Sequence, residues 1–421
     1  MATVAVPAGT TKKLPVAFNR LAWSNLAAQI AEQISLAAPP IVAVLALVAG
    51  AGETGLLQAA QTLPFLLLAI PAGILADRTS RRRLMACAEA LRMGELLSIL
   101  ILTHLSVLTL PLLAALGFIG ATGTVAYSVS APSLIPALVL RTQLAAANSR
   151  LELARSVAFV AGPALGGLFV GGVGAGPTYA IATTLSGIAV VFLLSLKEPA
   201  RQPVPKLTPL AELNEGARFV LTHQLLRPIL FTAVFFNIVF FVLQAIYVPY
   251  AHRHLGLSAD AIGITLALYG AGMVVGASLA STIMRRLSFG RVILIGPFTG
   301  LAASLVMVVT IWVPNPLIAG LSFFLIGMGP MLWTISSTTL RQVVTPDAML
   351  GRVSALITTA TWGARPIWAA IGAIVGSSIS LPACLLVAVI GFVTQAIVIA
   401  ISAPARLTTL PEPIPYPSLA S

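Results

Sequence analysis

Hydrophobic residues run along this chain in long unbroken blocks, and charged residues mark where the blocks end. There are 23 consecutive residues without Asp, Glu, Lys or Arg between Glu53 and Asp77, 25 between Arg227 and Arg253, and 24 between Asp260 and Arg285. About 20 helical residues cross a hydrocarbon core of ~30 Å, so each block predicts one spanning helix. Longer blocks of 45 residues (Glu95 to Arg141), 41 (Arg155 to Lys197) and 49 (Arg291 to Arg341) each predict a hairpin of two. With the first span, the start of the third and a last pair, the pattern predicts twelve: 18–49, 54–76, 84–108, 110–138, 150–172, 176–196, 228–251, 261–284, 291–313, 316–340, 351–379 and 382–403. The runs are continuous rather than alternating, which argues against a β-barrel.

Composition excludes the alternative of a soluble fold. Of 421 residues 58% are hydrophobic and 9% charged, against roughly 25% charged in soluble domains. The basic residues also give a topology. If the N-terminus is cytoplasmic, 20 of the 24 Lys and Arg fall in cytoplasmic segments, Arg341 and Arg352 among them. One, Arg253, falls in the opposite loops, and Arg92, Arg155 and Arg365 fall within spans. That asymmetry predicts a multi-pass membrane protein with both termini cytoplasmic. It also accounts for the net charge of +12 without nucleic acid. Cys87 and Cys384 lie in spans without CxxC spacing, and no disulfide or metal site is expected. No cleavable signal peptide is evident.

The Pro-rich stretch from Lys197 to Arg227 divides the spans six and six. The expected organisation is a six-helix bundle over 1–196, a cytoplasmic linker with an amphipathic surface helix over 197–227, a second six-helix bundle over 228–405 and a disordered tail over 406–421. The halves match at an offset of 203 residues: Gly73 with Gly276, Arg82 with Arg285, Arg83 with Arg286, Pro163 with Pro366. Repeats of this kind build transporters whose substrate site lies between the halves.

Residues 73–85 read Gly-Ile-Leu-Ala-Asp-Arg-Thr-Ser-Arg-Arg-Arg-Leu-Met. A positive-inside turn explains the arginines but not Gly73, which permits close helix packing, or Asp77, an acid at a membrane boundary. The stretch resembles the loop-2/3 signature of the major facilitator superfamily at Gly73, Leu75, Ala76, Asp77, Arg78, Arg81 and Arg82. Ser80 stands where that pattern has a second glycine. The resemblance implies an all-α membrane fold of two six-helix bundles related by pseudo-twofold symmetry, alternating access around a central cavity. It also implies that Asp77 latches onto the start of span 11, near Gly351–Arg352, as a conformational switch. Within span 5, Gly162-Pro163-Ala164-Leu165-Gly166-Gly167 reads on physics alone either as a kinked packing helix or as a functional, hinge-like one. It resembles the motif of drug–proton antiporters, which implies export; Ala158 departs from the fuller pattern. The stretches 134–149 and 340–355 resemble the branch of enterobactin exporters and macrolide efflux proteins. The Arg-centred span-4 motif of other efflux members is absent, since span 4 carries no charge.

Charges held in hydrocarbon cost at least ~2.5–3.5 kcal/mol and are candidates for function. Glu32 in span 1 is either a proton-responsive acid or a packing acid bonded to Gln29 or Gln33. Glu89, Arg92 and Glu95 fall at i, i+3 and i+6 in span 3, as a structural ion-pair network or a coupling site. Glu152 and Arg155 are spaced to neutralise each other. Arg365 has no acid within ten residues and must find a partner in another helix, Glu32 for instance, or an anionic cargo. Trp23, Tyr127, Asn237, Gln244, Tyr269, Trp333 and Trp362 could shape an apolar cargo site.

These features predict proton-coupled efflux of an amphipathic small molecule: a drug, siderophore or metabolite. An uptake transporter or lipid flippase of the same fold is the alternative. No Gly-x4-Gly-Lys loop or HExxH is present, so an ATP-driven pump or a membrane enzyme is not expected. The expected energy source is the proton gradient, with no cofactor and no metal. The expected partners are the small-molecule substrate, protons and the bilayer, and the expected state is a monomer.

Overall fold

The computed structural model describes residues 14–45, 51–172, 174–199, 208–363 and 381–412. Every regular element among them is helical: α1 Val16–Leu45, α2 Ala51–Leu67, α3 Ala69–Arg78, α4 Arg81–His104, α5 Leu110–Leu138, α6 Leu144–Gly172, α7 Ala175–Leu194, α8 Pro209–Thr222, α9 Leu226–Arg253, α10 Ala259–Arg286, α11 Phe289–Val309, α12 Pro316–Val344, α13 Leu350–Thr358 and α14 Leu381–Ala400. A π-helical stretch, Thr359–Gly363, continues α13. Polar side chains start several helices by accepting backbone N–H groups. Ser80 accepts from Arg83 N at 3.2 Å, Ser258 from Ala261 N at 3.4 Å, and Asn315 from Leu317 N at 2.8 Å.

Among the described residues six helices are long and apolar enough to cross a membrane, or seven if the bent pair α2–α3 counts as one span. Packing falls into two groups. In the first, α1 lies on α6 and α7, and α4 on α5 and α7. In the second, α10 and α11 lie on α12, and α14 on α9 and α11. The groups meet through α3 with α13, α6 with α10 and α12, and α2 with the π-helical stretch.

Three details differ from the sequence expectation. The span at 54–76 is two helices with a 50° bend, broken at Leu68 (φ −111°). Pro71 has no N–H to return to the Leu67 carbonyl, while Leu68 N and Ala72 N keep their bonds on either side, to Pro64 O at 2.8 Å and Leu68 O at 2.9 Å. Second, the linker helix α8 is not a free surface helix: its Glu212 is 1% exposed and it packs on α13. Third, residues 407–412 of the expected disordered tail are placed. The Leu407 carbonyl accepts from Gly290 N at 2.7 Å, and the Leu410 carbonyl accepts from Arg141 Nη2 at 3.1 Å. Donors at the start of α11 and before α6 thus hold the tail down.

Candidate functional site

The two helix groups are joined at one end by charges. At the C-terminus of α3, Asp77 presents both oxygens to the N-terminus of α13: Oδ1 accepts from Gly351 N at 2.7 Å and Oδ2 from Arg352 N at 2.9 Å. A helix start leaves N–H groups free and carries partial positive charge, so a carboxylate suits it. The helices come this close because both contact points are glycine. A Cβ on Gly73 would lie 2.7 Å from the Gly351 carbonyl oxygen.

Arginines surround the carboxylate. Arg352 Nε reaches Asp77 Oδ2 at 3.3 Å and its Nη1 pairs with Glu215 of α8 at 2.5 Å. Arg81, 2% exposed, lies 3.9 Å from Asp77; it pairs with Asp347 at 2.8 Å and donates to the Ser133 carbonyl. Arg78 pairs with Glu212 of α8 at 2.9 Å. Arg82 turns away: its Nη1 donates to the Leu196 carbonyl at 3.0 Å. Glu198 accepts the N–H groups of Arg81 and Arg82 at 3.1 and 3.2 Å and bonds Ser80, completing the cap of α4. Ser80 therefore does in that turn what the glycine of the family pattern cannot.

A second join is neutral. Asn148, on the first turn of α6, donates to Gln342 Oε1 at 2.7 Å and Thr339 Oγ1 at 2.9 Å of α12. Gln342 Nε2 donates to the Pro132 carbonyl of α5 at 2.8 Å.

Deeper in the first group, Arg92 is the hub of a buried cluster. It pairs with Glu89 at 2.6 Å and lies 3.7 Å from Glu32 of α1. It also donates to the Ala28 carbonyl at 3.1 Å and to Thr124 Oγ1 of α5 at 2.8 Å. Glu95, 2% exposed, accepts from Ser35 Oγ at 3.4 Å. Gly120 makes its room, since a Cβ there would lie 2.7 Å from Glu95 Oε2. Two carboxylates thus pair with one guanidinium and a third, Glu95, lies within reach of its charge, so the cluster's charge depends on how many protons it holds.

Where the groups face each other, α6 contributes Glu152, Arg155 and Phe159. Glu152 and Arg155 pair at 2.8 Å. Arg155 Cζ lies 6.0 Å from the Trp362 ring, and Phe159 meets Tyr269 of α10 edge-on at 6.0 Å. Phe65 of α2 lies 6.1 Å from Trp362.

Other candidates are not gathered here. Tyr127 lies instead beside the Arg92 cluster, its buried ring within reach of the charges of Glu89, Arg92 and Glu32. Asn237 donates to its own helix at Ala233 O, 2.8 Å away, and Gln244 is exposed on α9. Trp23 is exposed on α1. Gly162, Pro163, Gly166 and Gly167 fall on the unbroken backbone of α6; their side-chain surroundings lie outside the described residues, as does Arg365 altogether.

Residues 18–369 match the Major Facilitator Superfamily. The chain belongs to that superfamily. Among proteins similar to this superfamily member is the enterobactin exporter EntS of Escherichia coli O1:K1 / APEC, 28% identical over 292 residues, 68% of each chain. Another is the multidrug efflux pump Tap of Mycobacterium tuberculosis (strain ATCC 25618 / H37Rv), 29% identical over 218 residues, 49% of this chain and 51% of Tap. Two solved structures share the fold. A bacterial homologue of the iron transporter ferroportin, in an outward-facing state, has a TM-score of 0.79 at 15% identity, covering 91% of this chain and 98% of that one. The human organic anion transporter MFSD10 has a TM-score of 0.75 at 15% identity, covering 91% and 100%. The chain is a multi-pass membrane transporter of the Major Facilitator Superfamily.

Several residues at these sites carry no advance signal in the sequence. Glu212 and Glu215 read as the solvated face of a linker helix, and Glu198 as one more loop acid. Asn148 and Gln342 sit in the stretches that resemble the exporter branch, which marks the turns without assigning the bonds.

Proposed function

We propose that the chain is a secondary active exporter of twelve spanning helices in two six-helix bundles. It carries an amphipathic small molecule outward in exchange for protons, by alternating access. The Asp77 end is the cytoplasmic end, and the described state has that end shut. The observation that carries the reading is the buried Glu32–Glu89–Arg92–Glu95 cluster, whose acids outnumber its base three to one, within the half whose α3 is latched across to α13. Inward proton movement provides about 2.3 kcal/mol per charge per 100 mV, plus the pH difference. Release of the latch then exchanges the open side. The names of EntS and Tap, together with the span-5 motif, support export over uptake or lipid flipping.

The test is flux in proteoliposomes holding the full chain, against a chemically diverse panel, with and without an imposed pH gradient. At least one amphipathic compound should move, in the direction opposite to the protons. Flux that ignores the gradient removes proton exchange, and movement with the protons makes the chain an uptake transporter.

A further inference from the structure

Among the described residues, Arg341 is the least explained buried charge. The basic-residue pattern assigns it to a cytoplasmic segment, but α12 runs on to Val344 and carries it inside. It is 9% exposed, its Nε is buried with no partner, and its guanidinium makes no hydrogen bond or ion pair among the described residues. The acid whose charge reaches it is Glu152, already held by Arg155 at 2.8 Å. Glu32 also acts on Arg155, but it stands 3.7 Å from Arg92 and belongs to that cluster. Two arginines therefore face one committed carboxylate where α6 and α12 meet. A buried cation with no partner is costly and persists when something else supplies the counter-charge.

The surroundings show what that something would have to be. Along α6, Asn148, Glu152, Arg155 and Phe159 are spaced four, three and four apart, so they share one face of the helix. Asn148 closes the bottom of that face against α12. Arg155 lies against Trp362 and Phe159 against Tyr269. The face thus runs from a closed amide join, past Arg155 and the Glu152 whose charge reaches Arg341 of α12, to aromatic rings from both helix groups.

We propose that Arg341, with Arg155, receives the anionic group of the cargo, and that Trp362, Tyr269 and Phe159 hold its aromatic or apolar body. The cargo class is an amphipathic organic anion bearing a carboxylate or an equivalent acidic group. This rests on the transport reading above and narrows its substrate. A guanidinium gives charge-assisted, planar bonds to a carboxylate, and ring faces suit a flat apolar body.

The test is equilibrium dialysis of the purified full chain in detergent with three probes: 2-naphthoate, its neutral amide 2-naphthamide, and 2-naphthylmethylammonium. A hydrogen-bonded charge contact corresponds to about 10–100-fold in affinity. Naphthoate should bind tighter than the amide by that ratio, and the ammonium compound weakest. Arg341→Gln should reduce the ratio severalfold, toward one, and Arg341→Lys should restore part of it. Equal binding of naphthoate and amide, or a ratio unmoved in Arg341→Gln, overturns the proposal. Failure of both variants to fold also overturns it, because Arg341 is then structural. If instead Arg341 waits for Glu152 in another conformation, Arg341→Gln and Glu152→Gln slow flux alike and the ratio stays put, which overturns it too. The binding assay needs neither transport nor a gradient. A ratio that depends on Arg341 in a protein that moves nothing therefore refutes the transport reading alone.

Discussion

The α3–α4 turn and the α10–α11 turn occupy equivalent places in the two matched halves, and only the first is built from charge. At the offset of 203 residues, Gly73 corresponds to Gly276, Arg82 to Arg285 and Arg83 to Arg286, but Asp77 corresponds to Ala280 and Arg81 to Met284. Ala280 is fully buried, and Met284 and Ile283 pack in the same apolar cluster with Leu153 of α6. Arg285 is exposed and, among the described residues, bonds only its own helix, at Thr282. The far sides differ in step. Gly351, which offers a backbone N–H to Asp77, corresponds to Asn148, which brings a side-chain amide to Gln342. The same scaffold thus closes by ions on one side and by packing and neutral amides on the other. An ionic contact is long-ranged and answers to water and protons, whereas a packed one answers to shape. The halves resemble each other as a scaffold but not as a mechanism.

The sharpest way to break this contrast is to give the second turn the acid of the first. Ala280→Asp buries a carboxylate among Met331, Leu332 and Ile335 with no helix start to receive it. We expect a loss of about 3 kcal/mol or more, seen as a fall in the melting temperature in detergent. A protein that keeps its stability would show that the two turns are interchangeable. Next in size, Asp77→Asn leaves the shape and removes the charge that two N–H groups and Arg352 share. Charged hydrogen bonds contribute about 1.5–3 kcal/mol each, so flux in proteoliposomes should fall at least tenfold at normal expression. Normal flux would take the switch role from Asp77. Asn148→Ala removes three neutral bonds of about 0.5–1.5 kcal/mol each, and flux should change a few-fold, with the same change at low and high salt. The smallest effect is expected for Glu215→Gln. Its carboxylate is 35% exposed, so the pair with Arg352 contributes up to about 1 kcal/mol. The change in melting temperature should disappear in 1 M salt.

The spans were readable because charge spacing and helix rise both answer to bilayer thickness. For that reason α5 at 110–138 is where the pattern put it. The break at Leu68 was not read, although Pro64 and Pro71 were visible, because an apolar run looks the same whether straight or bent. Asp77 stood out as an acid among bases, and the superfamily motif named the segment it touches. Its supporting acids in α8 did not stand out, since a docked amphipathic helix and a solvated one share a pattern. The burial of Arg341 is not legible for a related reason: counting charges fixes a helix end only to within a turn, and one turn separates an exposed arginine from a buried one.

The bend between α2 and α3 bears on how the junction can let go. Along a helix without such a break, tilting one half would mean giving up a ladder bond in a medium with no water to replace it. At Leu68 that rung was never available, because Pro71 cannot donate it. The short segment that carries Asp77 is therefore jointed to the rest of its span like a finger at the knuckle. In the proposed cycle this joint is where the segment would part from α13 while α2 keeps its place against Trp362.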